Sequence, residues 1–121
     1  MQKLTKSEEE IMQHVWDLQR CTVSDILSRL GEPRPPHSTV SSVVRILEKK
    51  GFVGHKAYGK TYEYFPLVEK EAYGKRSLVD VVRNYFDGSA SRLVSHLLEE
   101  KQLSAEDVEA LQKRLEEWNE E

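Results

Sequence analysis

The chain has 121 residues, 38% of them apolar and 32% charged, with a formal net charge of −3. That length suits one domain, or one small domain with an appendage, and so lean an apolar fraction leaves little core, a shortage commonly made good by association with another copy. No apolar run is long enough to cross a bilayer and "MQKLTKSEEE" lacks the apolar centre of a secretory signal, so a cytoplasmic protein without membrane insertion is expected.

Cys21 is the sole cysteine, which excludes an intrachain disulfide framework and a thiolate-rich zinc site. His14, His37, His55 and His96 are scattered without ligand-pair spacing, so neither a metal nor a cofactor is expected. A glycine-rich phosphate loop and a nucleophile elbow are both missing from the sequence, and its carboxylates fall on helical faces where solvation accounts for them. An enzyme is therefore not expected.

In chain order, Thr5-x-x-Glu8 is a capping box opening a first helix whose Ile11, Met12, Val15 and Trp16 share a stripe. Thr22 and Asp25 form a second box, with Cys21 and Ile26 as a hydrophobic staple, and Gly31 stops the short second helix. Pro33, Pro35 and Pro36 then hold the chain extended. A third helix begins near His37 and ends at Gly51. Val40, Val43, Val44 and Leu47 lie on one side of it, and Ser38, Ser41, Ser42, Arg45 and Lys49 on the other.

Aromatic and β-branched residues flanking Gly59-Lys60 predict a hairpin with a two-residue turn and Lys56 opposite Glu63. Alternation puts Val53, Ala57, Tyr62 and Tyr64 on one face, expected to pack inward, and Lys56 and Tyr58 on the exposed face, with Lys60 at the tip. Three helices and a two-stranded wing make a winged helix-turn-helix, with the third helix as recognition element. The fold class expected is mainly α with a small β-hairpin wing, divided into a winged-helix DNA-binding domain over 1–67 and an all-α dimerisation tail over 68–121.

Three further helices are predicted in the tail: Glu69 to Phe86, Ala90 to Lys101, and one starting at Ser104 with Asp107 as its capping partner. Their apolar stripes include Val82, Phe86, Leu93, Leu97, Val108, Leu111, Leu115 and Trp118. The last four have a coiled-coil spacing that persists for under two heptads, so packing within a dimer of several helices is expected.

Charge divides with the domains. Residues 1–67 carry +2 and residues 68–121 carry −5, and within 45–60 Arg45, Lys49, Lys50, Lys56 and Lys60 face Glu48 alone. A solvated helix face favours Glu and Lys, whereas short hydroxyls beside an arginine suit phosphates and base edges. DNA contact is accordingly expected from Ser38, Thr39, Ser41, Ser42, Arg45 and Lys49 on the helix, and from Lys56, Tyr58 and Lys60 on the wing. The rival reading is a winged-helix protein–protein interaction module without direct DNA binding. A redox switch at Cys21 is a third reading, set against its plainer role as a small buried hydrophobe.

The segments "LTKSEEEIMQHVWDL", "TVSDILSRL", "STVSSVVRILEKKGFVGHKAYGKTYEYFPLV" and "LVSHLLEEKQLSAEDVEALQKRLEE" resemble, in order and spacing, the penicillinase-repressor family. These are winged-helix repressors of β-lactamase and methicillin-resistance genes, related to copper-responsive repressors. The resemblance implies a homodimer with interlocked C-terminal helices that binds double-stranded DNA at a palindromic operator. It also implies a regulatory protease as a partner: in the β-lactam systems a membrane-bound sensor metalloprotease triggers cleavage at an Asn-Phe bond, where this chain has His96-Leu97. The resistance repressors carry basic residues at the positions of Ser38 and Ser41, Thr39 matches, and the cysteine-rich tail of the copper branch has no counterpart here.

Overall fold

The computed structural model describes residues 2–119, with side chains as far as residue 117. Its elements run α1 (Lys6–Leu18), α2 (Val23–Arg29), α3 (His37–Lys49), β1 (Val53–Tyr58), β2 (Thr61–Pro66), α4 (Lys70–Tyr85), α5 (Ala90–Glu99) and α6 (Ala105–Asn119). The chain divides into two compact units, residues 1–74 and 75–121.

Local chemistry sets the helix starts. The Thr5 hydroxyl accepts from the Glu8 amide at 3.2 Å while the Glu8 carboxylate accepts from the Thr5 amide at 3.1 Å. Thr22 and Asp25 repeat this at α2, and Ser104 and Asp107 at α6. Pro36 has no side-chain acceptor to offer, so α3 starts without a side-chain cap.

In the first unit the stripes of α1 (Ile11, Met12, Val15, Trp16), α2 (Val23, Ile26) and α3 (Val40, Val44, Leu47) converge on Phe52, Val53 and Tyr64 of the hairpin region. Tyr73 from the first turn of α4 joins this core: its ring meets Phe52 edge-on at 5.4 Å, and its hydroxyl accepts from the Leu4 amide and donates to Glu9. Trp16 donates its indole N–H to the Val68 carbonyl at 2.8 Å, tying the chain after β2 to α1.

Glu8 is buried, and its carboxylate also receives the Lys50 ammonium. Burial pushes the carboxyl up, but hydrogen bonds from Lys50 and the Thr5 amide, together with the Lys50 charge, outweigh it and hold the group below its ordinary value. Lys50 therefore leaves the set of free cations that the charge pattern suggested.

β1 and β2 are antiparallel, with Lys56 opposite Glu63 and Tyr58 opposite Thr61 across the two-residue turn. Gly59 takes φ +63 at the first turn position, as a type II′ turn requires. Gly54 lets the Phe65 ring lie over the opposite strand: a Cβ there would meet ring atoms at 3.0 Å. Cys21 and Tyr64 exchange backbone hydrogen bonds at 2.9 and 2.7 Å, a one-residue bridge that anchors the hairpin beside α2.

In the second unit, α4 ends at Asp87 and Gly88, both at positive φ, with the Gly88 amide bonded to the Val82 carbonyl. Ser89 caps α5 through the Arg92 amide. Among its described residues this unit buries no apolar side chain fully. No described helix is long and apolar enough to cross a membrane.

Candidate nucleic-acid interface

With Val40, Val44 and Leu47 turned into the core, helical geometry places Ser38, Ser42, Arg45 and Lys49 along the opposite ridge of α3, and all four are exposed. The Ser42 hydroxyl donates to the Ser38 carbonyl at 2.9 Å, which leaves it free only to accept. Ser41 and Thr39 lie on opposite flanks. Thr39, exposed, lines a 280 Å³ groove with Glu10 of α1 and Pro33 and Pro35 of the turn, whereas half-buried Ser41 faces the wing. Among the described residues, Arg45 and Lys49 have no ion pair.

The wing's two faces differ in surroundings. On one, Lys56 passes over the Tyr58 ring at 5.4 Å, and no ion pair joins it to Glu63 despite their register. On the other, His55 hydrogen-bonds through Nδ1 to Glu48 of α3, and its ring stacks on Tyr62 at 4.3 Å with planes 16° apart. Tyr64 on this face is buried; burial pushes its phenol up, Glu48 adds to the rise, and the Arg45 charge opposes it.

The expectation that Tyr62 and Ala57 pack inward is corrected here: Tyr62 is 47% exposed and Ala57 is exposed. Alternation assigns a face, but the core ends at Val53 and Tyr64, where the Cys21 bridge holds the hairpin, and beyond that point the strands project past it.

Between α3 and the inner wing face lies an open cleft of about 450 Å³. Ser41 and Arg45 come to it from the helix, Lys60, Thr61 and Tyr62 from the wing, and Thr22 to Ser24 from the start of α2. No carboxylate is among the described residues lining it. The structure thus brings Ser41, Arg45 and Lys60 together, keeps Ser38, Ser42 and Lys49 on the adjoining ridge, and sets Thr39, Lys56 and Tyr58 to either side. Two further residues emerge that periodicity did not single out. They are Tyr62 and Ile46, the latter 43% exposed on the outer part of α3. An isoleucine off the apolar stripe of α3 was the available signal for Ile46.

Cys21 is fully buried, and burial first, then the Asp25 and Glu63 charges, push its thiol up to about 11. A buried thiol raised in this way is poorly reactive at neutral pH, which favours the plainer role of Cys21 as a small buried hydrophobe.

Of the predicted association residues, Val82, Phe86, Leu93, Leu97 and Val108 are half-buried, and Leu111 and Leu115 are exposed. Trp118 lies in the α6 backbone, but its side chain falls outside the described residues. Leu78, Val79, Tyr85, Val94 and Leu98 are also exposed, so the uncovered apolar surface is wider than the predicted stripe.

A helix-turn-helix followed by an antiparallel wing and a helical C-terminal region defines a winged-helix protein. The model of the penicillinase repressor family matches residues 4–117. The chain is 24% identical over 110 residues to the methicillin resistance regulatory protein MecI of Mammaliicoccus sciuri, covering 90% of this chain and 89% of that protein. It is 23% identical over 116 residues to the penicillinase repressor of Bacillus licheniformis, covering 95% and 91%. The chain belongs to the penicillinase repressor family, and is by that membership a transcriptional regulator of the repressor class and not an enzyme.

Proposed function

We propose that the chain is a homodimeric, cytoplasmic repressor that binds double-stranded DNA at a palindromic operator, with α3 in the major groove and the wing on the adjoining backbone. One observation carries the reading: in a molecule of net charge −3, Arg45, Lys49 and Lys60 have no ion pair among the described residues and stand on α3 and the wing that faces it. Unpaired cations repel one another and gain most from a polyanion, whose released counterions supply the binding free energy. The hydroxyls of Ser38, Thr39, Ser41 and Ser42 add short partners for phosphate or base edges, and Lys56 and Tyr58 extend the contact along the wing.

The uncovered apolar side chains of α4, α5 and α6 support self-association of the C-terminal helices. A two-fold dimer would present two copies of α3 to two half-sites. A regulatory protease acting at His96-Leu97 would find that bond inside α5, so cleavage there requires the helix to open locally.

Mobility shifts with genomic fragments test the reading. The intact protein retards a subset of fragments, and Arg45→Ala or Lys60→Ala weakens retardation by about tenfold or more. Retardation of no fragment, with capture of a protein partner instead, would favour the interaction-module reading.

A further inference from the structure

Past the bridge between Cys21 and Tyr64 the wing strands project beyond the core, and a lone two-stranded hairpin has little stability to hold its own angle to the helices. Among the described residues between 54 and 63, the one side chain that hydrogen-bonds a helix is His55, through Nδ1 to Glu48 in the last turn of α3. An ionised carboxylate only accepts, so this contact requires the proton on Nδ1. The imidazole then carries the connection into the wing. It stacks on the Tyr62 ring and lies 5.8 Å from the ring of buried Tyr64, and the two tyrosines meet edge-on at 6.4 Å. Tyr62 stands two residues after Lys60, so the wing tip is placed by a chain of contacts that begins at Glu48.

Glu48 also shares a flank of α3 with Arg45, three residues earlier. A carboxylate and a guanidinium at that spacing are within reach of each other and ordinarily attract. Here Arg45 has no ion pair among the described residues, and Glu48 is engaged by His55 instead. The His55 and Glu48 side chains are 32% and 33% exposed, so water competes for the contact and it can open without unfolding the core.

We propose that Glu48 and His55 are positioning residues: the pair latches the wing to the last turn of α3 and keeps the Glu48 carboxylate away from Arg45. The inference rests on the DNA-binding reading for its functional consequence, while the latch itself is a property of the free chain. Holding the wing before a ligand arrives lowers the ordering cost of binding.

The test compares Glu48→Ala with Glu48→Gln in the full ¹⁵N-labelled chain. Both delete the same charge, but the glutamine carbonyl still accepts from Nδ1. In the free protein Glu48→Ala should speed amide exchange between His55 and Glu63 by about threefold to tenfold, and Glu48→Gln should stay near wild type. The wild-type imidazole ¹⁵N signals should show Nδ1 protonated. With a duplex retarded in mobility shifts, removal of a carboxylate near a polyanion should by charge alone tighten both variants equally. The latch instead makes Glu48→Ala bind more weakly than Glu48→Gln by about threefold to tenfold. His55→Ala should also weaken binding, because it frees Glu48 for Arg45, and adding Glu48→Ala to it should recover part of the loss. Unchanged melting temperatures separate lost positioning from lost folding. If no duplex is retarded, the DNA reading fails and the exchange and imidazole measurements decide the latch by themselves. Equal exchange in the alanine and glutamine variants, or an Nδ1 without its proton, would overturn the latch. Faster exchange with equal duplex affinity would overturn its positioning role.

Discussion

Lys49 and Lys50 are consecutive in sequence and, by their surroundings, do opposite work. Lys50 reaches the buried Glu8 carboxylate, with its own side chain 21% exposed, and lies 3.4 Å from the Lys3 carbonyl. Lys50→Met keeps the stem but leaves a buried carboxylate held by Thr5 without a counter-charge. Rupture of a fully buried pair costs about 3–5 kcal/mol, and the water that reaches Lys50 reduces this to about 2 kcal/mol. At a urea m-value of about 1–3 kcal/mol/M, the unfolding midpoint should fall by about 1 M at fixed protein concentration.

The pH dependence has a definite sign. Because the folded Glu8 carboxyl sits below its ordinary value, the pair contributes fully above the unfolded carboxylate pKa of about 4.3 and is lost as pH falls through the folded value. The gap between wild type and Lys50→Met should therefore be full at pH 7 and close in acid. Lys49→Met should change stability by no more than about 0.5 kcal/mol, yet flatten the salt dependence of DNA binding by about 1.8 per dimer. A Lys50→Met chain as stable as wild type, or one whose deficit widens in acid, would refute the reasoning.

Other outcomes follow from single features. Iodoacetamide should label Cys21 at neutral pH far more slowly in the folded chain than in urea, since the thiol is buried and pushed up to about 11; equal rates would contradict the assignment. Leu98→Asp and Leu111→Asp, at exposed apolar positions of α5 and α6, should lower the solution mass toward the monomer and weaken operator binding together. An unchanged mass with both variants would place the dimer contact elsewhere. Gly59→Val should destabilise the wing by about 1 kcal/mol or more, read as earlier loss of amide protection in β1 and β2, because φ +63 strains a β-branched residue while open space surrounds the position.

Features encoded within a few residues were legible in the sequence. The boxes at Thr5/Glu8, Thr22/Asp25 and Ser104/Asp107, the stop near Gly88 and the Gly59 turn all depend on short-range hydrogen bonds or one backbone angle. What escaped depends on partners far along the chain. Tyr73 enters the first core from α4 through contacts with Leu4 and Phe52, which no periodicity announces. Cys21 pairs with Tyr64 across more than forty residues. Tyr62 was assigned to the right strand face, but alternation carries no information on where the core beneath that face ends. Lys50 looked like its neighbour Lys49 because charge counts do not say which way a lysine reaches. In the C-terminal helices the apolar stripe was legible, while its division into half-buried residues such as Leu93 and exposed ones such as Leu98 arises from packing.

In the proposed complex α3 and the wing form a cationic grip on duplex DNA. Anisotropy titrations of one operator fragment from about 50 to 200 mM salt measure it, and a log–log slope near −6 is expected for the dimer, from three to four phosphates neutralised per half-site. Arg45→Ala and Lys60→Ala should each make that slope shallower by about 1.8. A slope near zero in the wild type, or one that neither substitution alters, would mean that these cations do not hold the DNA backbone.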